Sequence, residues 1–212
     1  MVDFHLITQL IINLQAIDVV SALLRFVTAR LFVLNNKKTW IISNITILAN
    51  LYNLLQMGFY LKVTTKIVQV LIQAYAWYFW GKQEQEQETT ISSLSLYESQ
   101  ITLLMIITMA FCIYFTQVSL NLHKNLSDFS LELAMITLNY TGLLLSVQRK
   151  VECWSIWSVY NIICAYAYYS HGLPCNAIGS TFMLGLAIQG HIHWNQLLTQ
   201  SERKSARNTV FS

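Results

Sequence analysis

The chain has 212 residues, of which 55% are hydrophobic and 11% are charged, and its net charge is +3. Soluble domains carry roughly 25% charged residues, so this chain has too few charges to cover a surface that faces water. The small net charge gives no reason to predict a nucleic-acid partner. The composition therefore predicts a multi-pass integral membrane protein whose outer surface contacts the lipid bilayer.

Seven apolar segments of helical length follow one another along the chain. A hydrocarbon core about 30 Å thick requires about 20 residues of helix per crossing, so each segment can cross the bilayer once. The predicted helices cover residues 14–34, 40–57, 64–80, 97–119, 129–147, 154–171 and 175–197. Most connections are short, whereas the Gln-Glu repeats between Gly81 and Glu98 predict a solvated loop.

The basic residues near the helix ends predict the orientation of the chain, because cytoplasmic connections carry an excess of Lys and Arg. One side holds Arg30, Lys37, Lys38, Lys82, Arg149, Lys150, Arg203, Lys204 and Arg207, and the other side holds Lys62, Lys66 and Lys124. This asymmetry predicts an N-terminus outside the cell and a C-terminal tail, residues 198–212, in the cytoplasm. The membrane is predicted to be the inner (plasma) membrane.

The chain matches itself at an offset of 114 residues. The aligned pairs are Trp40 with Trp154, Ile42 with Ile156, Tyr52 with Tyr166, Gly58 with Gly172 and Trp80 with Trp194. Because the offset spans four helices, the second set of three is predicted to have the same orientation as the first. We therefore predict an all-α fold of seven transmembrane helices, forming one transporter domain over residues 1–212. Two parallel repeats, 14–80 and 128–197, are joined in it by a linker helix at 97–119.

Parallel repeats of this kind occur in transporters, with the substrate near the midplane of the bilayer. An ATP-driven pump is disfavoured because the sequence has no Gly-x-x-x-x-Gly-Lys-Ser/Thr loop. An enzyme is disfavoured because no nucleophile–base pair or metal-ligand spacing is present: His191 and His193, two apart, do not share a helix face. The four cysteines indicate buried small hydrophobes, and no cofactor is predicted. A seven-helix receptor and a sugar carrier of the similarly arranged SWEET type are the alternatives.

Three motifs carry a resemblance to a known family. They are Glu152-x-Trp154-x-x-Trp157-x-x-x-Asn161, Tyr75-Ala76-Trp77-x-x-Trp80 and Gly190-x-x-x-Trp194. With these motifs in a seven-helix context, the chain resembles the PnuC family of vitamin-precursor transporters, although Ala76 stands where that family usually has glycine. The resemblance implies a homotrimer that takes up nicotinamide riboside by facilitated diffusion, made one-way by phosphorylation inside the cell. Thiamine, riboflavin or a nucleoside are alternative substrates.

Nicotinamide riboside joins a flat cationic ring to a sugar, so a selective site needs aromatic faces and amide or hydroxyl groups. Stacking contributes about 1–3 kcal/mol per base, and a desolvated cation over tryptophan about 2 kcal/mol. Trp157 and Asn161 are four residues apart and share one helix face, and the repeat supplies Ser43 and Ile47 at the matching positions. The predicted substrate-binding residues are Trp154, Trp157, Asn161, Gln69, Gln73, Trp77, Gln189 and Asn50.

Some of the same residue types have a structural interpretation. Tryptophan at a helix end is often an anchor at the membrane–water interface, and we predict that role for Trp40, Trp80 and Trp194. For the asparagines of the second helix, Asn44, Asn50 and Asn53, we favour interhelical hydrogen bonds, with substrate contact as the alternative role.

Overall fold

The computed structural model describes residues 20, 23–56, 60–86, 91–119, 126–172 and 174–210. These residues form seven helices, which are α1 (residues 23–33), α2 (Lys38–Gln56), α3 (Tyr60–Gln85), α4 (Leu96–Ser119), α5 (Leu126–Val147), α6 (Cys153–Ser170) and α7 (Pro174–Val210). Each predicted helix is present, and the described ends agree with the predicted ones to within a few residues except at the ends of α3 and α7.

The chain divides into two compact units, Met1–Gln87 and Glu88–Ser212. Unit one contains α1, α2 and α3, and α2 packs against α3. Unit two contains α4 to α7; α5 packs against both α4 and α6, and α6 packs against α7. The predicted linker helix therefore belongs to the second unit.

The outer surface of the described helices is apolar. Two stretches are long and apolar enough to cross a membrane by length and composition, Leu96–Thr116 in α4 and Ser130–Val147 in α5. Large apolar side chains of α4 are widely exposed, among them Leu104 at 64% and Phe111 at 65%. Water would disfavour so much exposed apolar surface, whereas lipid would cover it, in agreement with the composition.

The turn between α1 and α2 recurs 114 residues later between α5 and α6. Asn35 (φ 52°) and Arg149 (φ 54°) are the non-glycine residues of the described chain with a left-handed backbone. In both turns the residue that follows donates its N–H to a carbonyl five residues back, at 3.0 Å. This arrangement satisfies carbonyls that are left free at a helix C-terminus. The two turns therefore have the same local geometry.

The aligned tryptophans also make the same contact in each unit. Trp40 and Trp80 meet edge to face with ring centroids 5.3 Å apart, and Trp154 and Trp194 do so at 5.4 Å. Trp80 and Trp194 are fully buried, and Trp40 is 4% exposed. The prediction that Trp40, Trp80 and Trp194 are interfacial anchors is therefore wrong, because an anchor must reach the membrane surface and these rings fill the core of their own unit.

The predicted solvated loop after Gly81 is partly wrong. Helix α3 continues to Gln85, and Glu84 forms a 2.7 Å ion pair with Lys37 in the turn between α1 and α2. The first part of the Gln-Glu repeat is therefore helical. The ion pair of Glu84 with Lys37 stabilises this last turn of α3. Helix α7 likewise continues to Val210, so most of the predicted tail is helical.

The chain before α4 is fixed to the turn between α5 and α6. The N–H of Val151 donates to the carbonyl of Ser92 at 3.0 Å, and the N–H of Leu94 donates to Glu152 Oε1 at 2.9 Å. Lys150 Nζ lies 2.7 Å from Glu98 Oε1, in the first turn of α4. These bonds place the start of α4 beside the start of α6.

Candidate functional site

The eight predicted substrate-binding residues are divided between the units. Asn50, Gln69, Gln73 and Trp77 belong to unit one, and Trp154, Trp157, Asn161 and Gln189 belong to unit two. The side chain of Asn50 lies outside the described part of the chain. The other seven can be placed within their own units.

Trp157 lies on α6 with its indole against α5. Its Nε1–H donates to Ser146 Oγ at 3.0 Å, and Ser146 Oγ in turn donates to the carbonyl of Gly142 at 2.6 Å. The ring also meets Tyr160 nearly at right angles, with centroids 5.6 Å apart. Trp157 remains partly exposed, so its ring is held in place and still has surface that a ligand could reach.

Asn161 lies one turn after Trp157, as the spacing predicts. Its Nδ2 donates to the carbonyl of Trp157 at 2.8 Å, and the residue is 8% exposed. Because this bond uses Nδ2, it leaves the amide oxygen Oδ1 of Asn161 as a strong acceptor. Ile47, the aligned residue of unit one, is equally buried at 8%, so the two units differ here in chemistry and not in burial.

Trp154 differs from Trp157 in its surroundings. It is 3% exposed, and a methyl carbon built on Gly190 would lie 2.5 Å from three carbons of its six-membered ring. With Trp194 against it as well, the indole fills the contact between α6 and α7. This packing favours a structural role for Trp154 over the predicted substrate contact.

On α3, Gln69 and Gln73 lie on the same side as Ala76 and Trp80, because these positions fall within about 60° of one another at 100° per residue. Gln73 is 3% exposed, and its Oε1 is buried with no hydrogen-bond partner in the described part of the chain. Gln69 accepts a 3.0 Å hydrogen bond from Lys66 Nζ. A buried amide oxygen without a hydrogen bond destabilises the folded state. A ligand or a water molecule that donates a hydrogen bond to Gln73 Oε1 would remove this cost.

The remaining predicted residues are open to the surroundings. Trp77 is 45% exposed, and Gln189 is exposed on α7. Asn44 on α2, for which an interhelical hydrogen bond is the favoured role, has a buried Oδ1 without a partner among the described residues. Within that part of the chain, this oxygen does not make the predicted interhelical bond.

The sequence did not indicate Gly142 and Ser146, although they contact Trp157 directly. They are four residues apart on α5, so they share a face, and small residues at this spacing allow close approach of a neighbouring helix. A glycine and a serine four residues apart could therefore have indicated, from the sequence, a close helix contact at this place. Within the described residues, no group of three or more His, Cys, Asp and Glu side chains could hold a metal ion.

Comparison with known proteins gives two findings. A family model described as "Nicotinamide mononucleotide transporter" matches residues 15–196. Among solved structures, the chain is similar to one described as "Crystal structure of the Vitamin B3 transporter PnuC", with a TM-score of 0.63 and 18% identity. The similarity covers 91% of this chain and 88% of that one, and at this identity it shows a shared fold. No curated protein sequence matches the chain at a significant level.

Proposed function

This chain belongs to the nicotinamide mononucleotide transporter family, and from that premise we propose that it takes up nicotinamide riboside by facilitated diffusion through alternating access. Membership makes it a membrane transporter for a small molecule and not an enzyme. The substrate, the downhill mechanism, the homotrimer and the location in the inner membrane with the N-terminus outside are parts of the proposal. So is the arrangement of seven helices as two parallel repeats of three with one linker.

The observation that supports nicotinamide riboside as the substrate is the pair of residues on one face of α6, Trp157 and Asn161. A partly exposed indole suits a flat cationic ring, since a desolvated cation over tryptophan is worth about 2 kcal/mol. The amide oxygen of Asn161, which the bond to the Trp157 carbonyl does not use, suits a hydroxyl or carboxamide N–H. The buried Oε1 of Gln73 in unit one is a second acceptor of the same kind. We also propose Gln69, Trp77, Gln189 and Asn50 as contacts, and we assign Trp154 to packing.

The neutral character of these groups favours a substrate without a phosphate. A phosphate is recognised best by arginine forks and other cations, and desolvating it against amides alone would be costly. The side chains of Trp157, Asn161 and Gln73 carry no charge. Nicotinamide riboside is therefore preferred over its mononucleotide, and thiamine, which also has a cationic ring, is the alternative.

The test is uptake of labelled nicotinamide riboside into vesicles that contain the purified protein. We expect uptake that equalises the two compartments and is competed by unlabelled nicotinamide riboside more strongly than by thiamine, riboflavin or the mononucleotide. Accumulation against the gradient would exclude a facilitator, and stronger competition by thiamine would change the substrate.

The site is tested by the double variant Trp157→Ala, Asn161→Ala, for which we expect uptake to fall at least tenfold. The matched control is Val159→Ala, Ile162→Ala on the same helix, whose side chains are 47% and 54% exposed and lie away from the proposed site. Equal uptake by both double variants would remove the α6 site.

A further inference from the structure

Two residues of α5, Gly142 and Ser146, hold the indole of Trp157. Ser146 is 2% exposed and accepts the indole N–H at 3.0 Å while donating to the carbonyl of Gly142 at 2.6 Å. A methyl carbon built on Gly142 would lie 3.0 to 3.2 Å from Cε2, Cδ2 and Cζ2 of Trp157. We refer to Gly142 and Ser146 as the α5 pair.

The geometry of the α5 pair restricts what Trp157 can offer to a ligand. Because the indole N–H already has an acceptor inside the protein, it is not available to a substrate oxygen. Because Cδ2 and Cε2 form the bond that fuses the two rings, and the methyl carbon built on Gly142 is nearly equidistant from them, Gly142 lies over part of one ring face and not at an edge. The indole is therefore fixed and presents only its remaining aromatic surface.

The α5 pair is absent from unit one. The residues that align with Gly142, Ser146 and Trp157 are Thr28, Phe32 and Ser43. In unit one Phe32 stacks on Trp80 with centroids 6.1 Å apart, which is a core contact. All three members of the arrangement therefore differ between units that otherwise share the turn and the tryptophan pair, so the arrangement is not needed to build this kind of unit.

We propose that Gly142 and Ser146 are positioning residues for substrate, which hold Trp157 so that it recognises a planar ring by stacking and not by hydrogen bonding. The proposal rests on the proposed function, since it takes Trp157 as a substrate contact. Hydrogen-bonding groups of the ligand are then recognised by other side chains, among them the amide of Asn161 one turn later on α6. Neither member of the α5 pair touches the substrate.

The indole N–H signal tests the geometry without any transport measurement. Purified full-length protein labelled with ¹⁵N-tryptophan gives indole signals, and the one lost in Trp157→Phe is that of Trp157. We expect Ser146→Ala to move this proton signal upfield, since its hydrogen bond is lost. Ser158→Ala is the matched control, because Ser158 also donates to a carbonyl four residues back on α6, that of Trp154. An unchanged Trp157 signal in Ser146→Ala would overturn the proposal.

Uptake of nicotinamide riboside tests the consequence. We expect Ser146→Ala to raise the KM for uptake about three- to tenfold with little change in the maximal rate, as loss of one net hydrogen bond would. Ser146→Thr, which keeps the hydroxyl, should restore KM to within about twofold. Gly142→Ala should raise KM while keeping the hydrogen bond, so it tests the same point if the threonine does not fold.

The outcomes separate this proposal from the proposed function. A displaced indole in Ser146→Ala with an unchanged KM would overturn the positioning role while leaving nicotinamide riboside as substrate. Unchanged uptake by Trp157→Ala would instead overturn the site on which both proposals rest. A higher KM in Ser158→Ala equal to that in Ser146→Ala would show a general effect of helix packing and would also overturn the positioning role.

Discussion

Gly190 is the position at which the packing of unit two can be tested most sharply. In Gly190→Ala, the new methyl would lie 2.5 Å from three carbons of the Trp154 ring, roughly 1 Å inside the usual contact distance of about 3.5–4.0 Å. The ring cannot simply move away, because Trp154 is 3% exposed and Trp194 is fully buried against it.

The expected loss of stability follows from two opposing effects. Overpacking of a core costs about 1–3 kcal/mol, and replacing a glycine in a helix by alanine returns up to about 1 kcal/mol. The net loss therefore lies between about 0 and 3 kcal/mol, and its middle range is about 1–2 kcal/mol. For a chain of this length 1 kcal/mol corresponds to roughly 2–4 °C, so we expect a Tm about 2–8 °C lower. The aligned residue of unit one, Ala76, is fully buried, which indicates that a methyl can be accommodated once its neighbours are arranged around it.

The assay is thermal unfolding of the purified protein in detergent. Gly185→Ala is the matched control, because it makes the same substitution in the same helix at a place where nothing lies within 4 Å of the new methyl. Its Tm should be unchanged or slightly higher. Adding Trp154→Phe to Gly190→Ala should recover part of the loss, since the smaller ring leaves room. A Gly190→Ala protein as stable as Gly185→Ala would refute the close contact.

Three further predictions concern the core, the turn and the start of α4. Trp80→Ala and Trp194→Ala should each cost about 3–5 kcal/mol, as for other buried aromatic residues, and so reduce folded yield and Tm; interfacial anchors would cost far less. Asn35→Ala should lower Tm by an amount equivalent to about 1–2 kcal/mol, the penalty of a left-handed backbone, while Asn35→Gly should not. A double-mutant cycle of Lys150→Met and Glu98→Gln should give a small but measurable coupling in thermal unfolding, because Glu98 is 40% exposed and solvent screens an exposed ion pair; zero coupling would show that the 2.7 Å ion pair does not contribute.

The helices could be predicted because a bilayer imposes a length on each apolar run. The segment predicted at 97–119 is α4 (Leu96–Ser119), and the one predicted at 154–171 is α6 (Cys153–Ser170). The ends of α3 and α7 were predicted too early. Beyond the apolar run a helix can continue on polar residues, and a tertiary partner such as Lys37 for Glu84 is not visible in the local sequence.

The candidate site was predictable only in part. The shared face of Trp157 and Asn161 follows from a spacing of four residues, and in the structure the Asn161 amide donates to the backbone carbonyl of Trp157. The partner of the indole, Ser146, lies eleven residues earlier on another helix. That contact depends on how α5 and α6 pack, which local spacing does not specify.

The sequence by itself determined the number of helices, the offset of 114 residues between matching positions and the residue types that a ring-binding face requires, because these depend on composition and on periodicity along one chain. Tertiary structure alone decided which tryptophans are buried in a core and which stay partly exposed. Trp80 and Trp157 have the same side chain, and in the sequence both lie near an end of a predicted helix. The residues packed against them distinguish the two. Trp80 packs against aromatic rings, whereas Trp157 packs against Gly142 and Ser146 of α5.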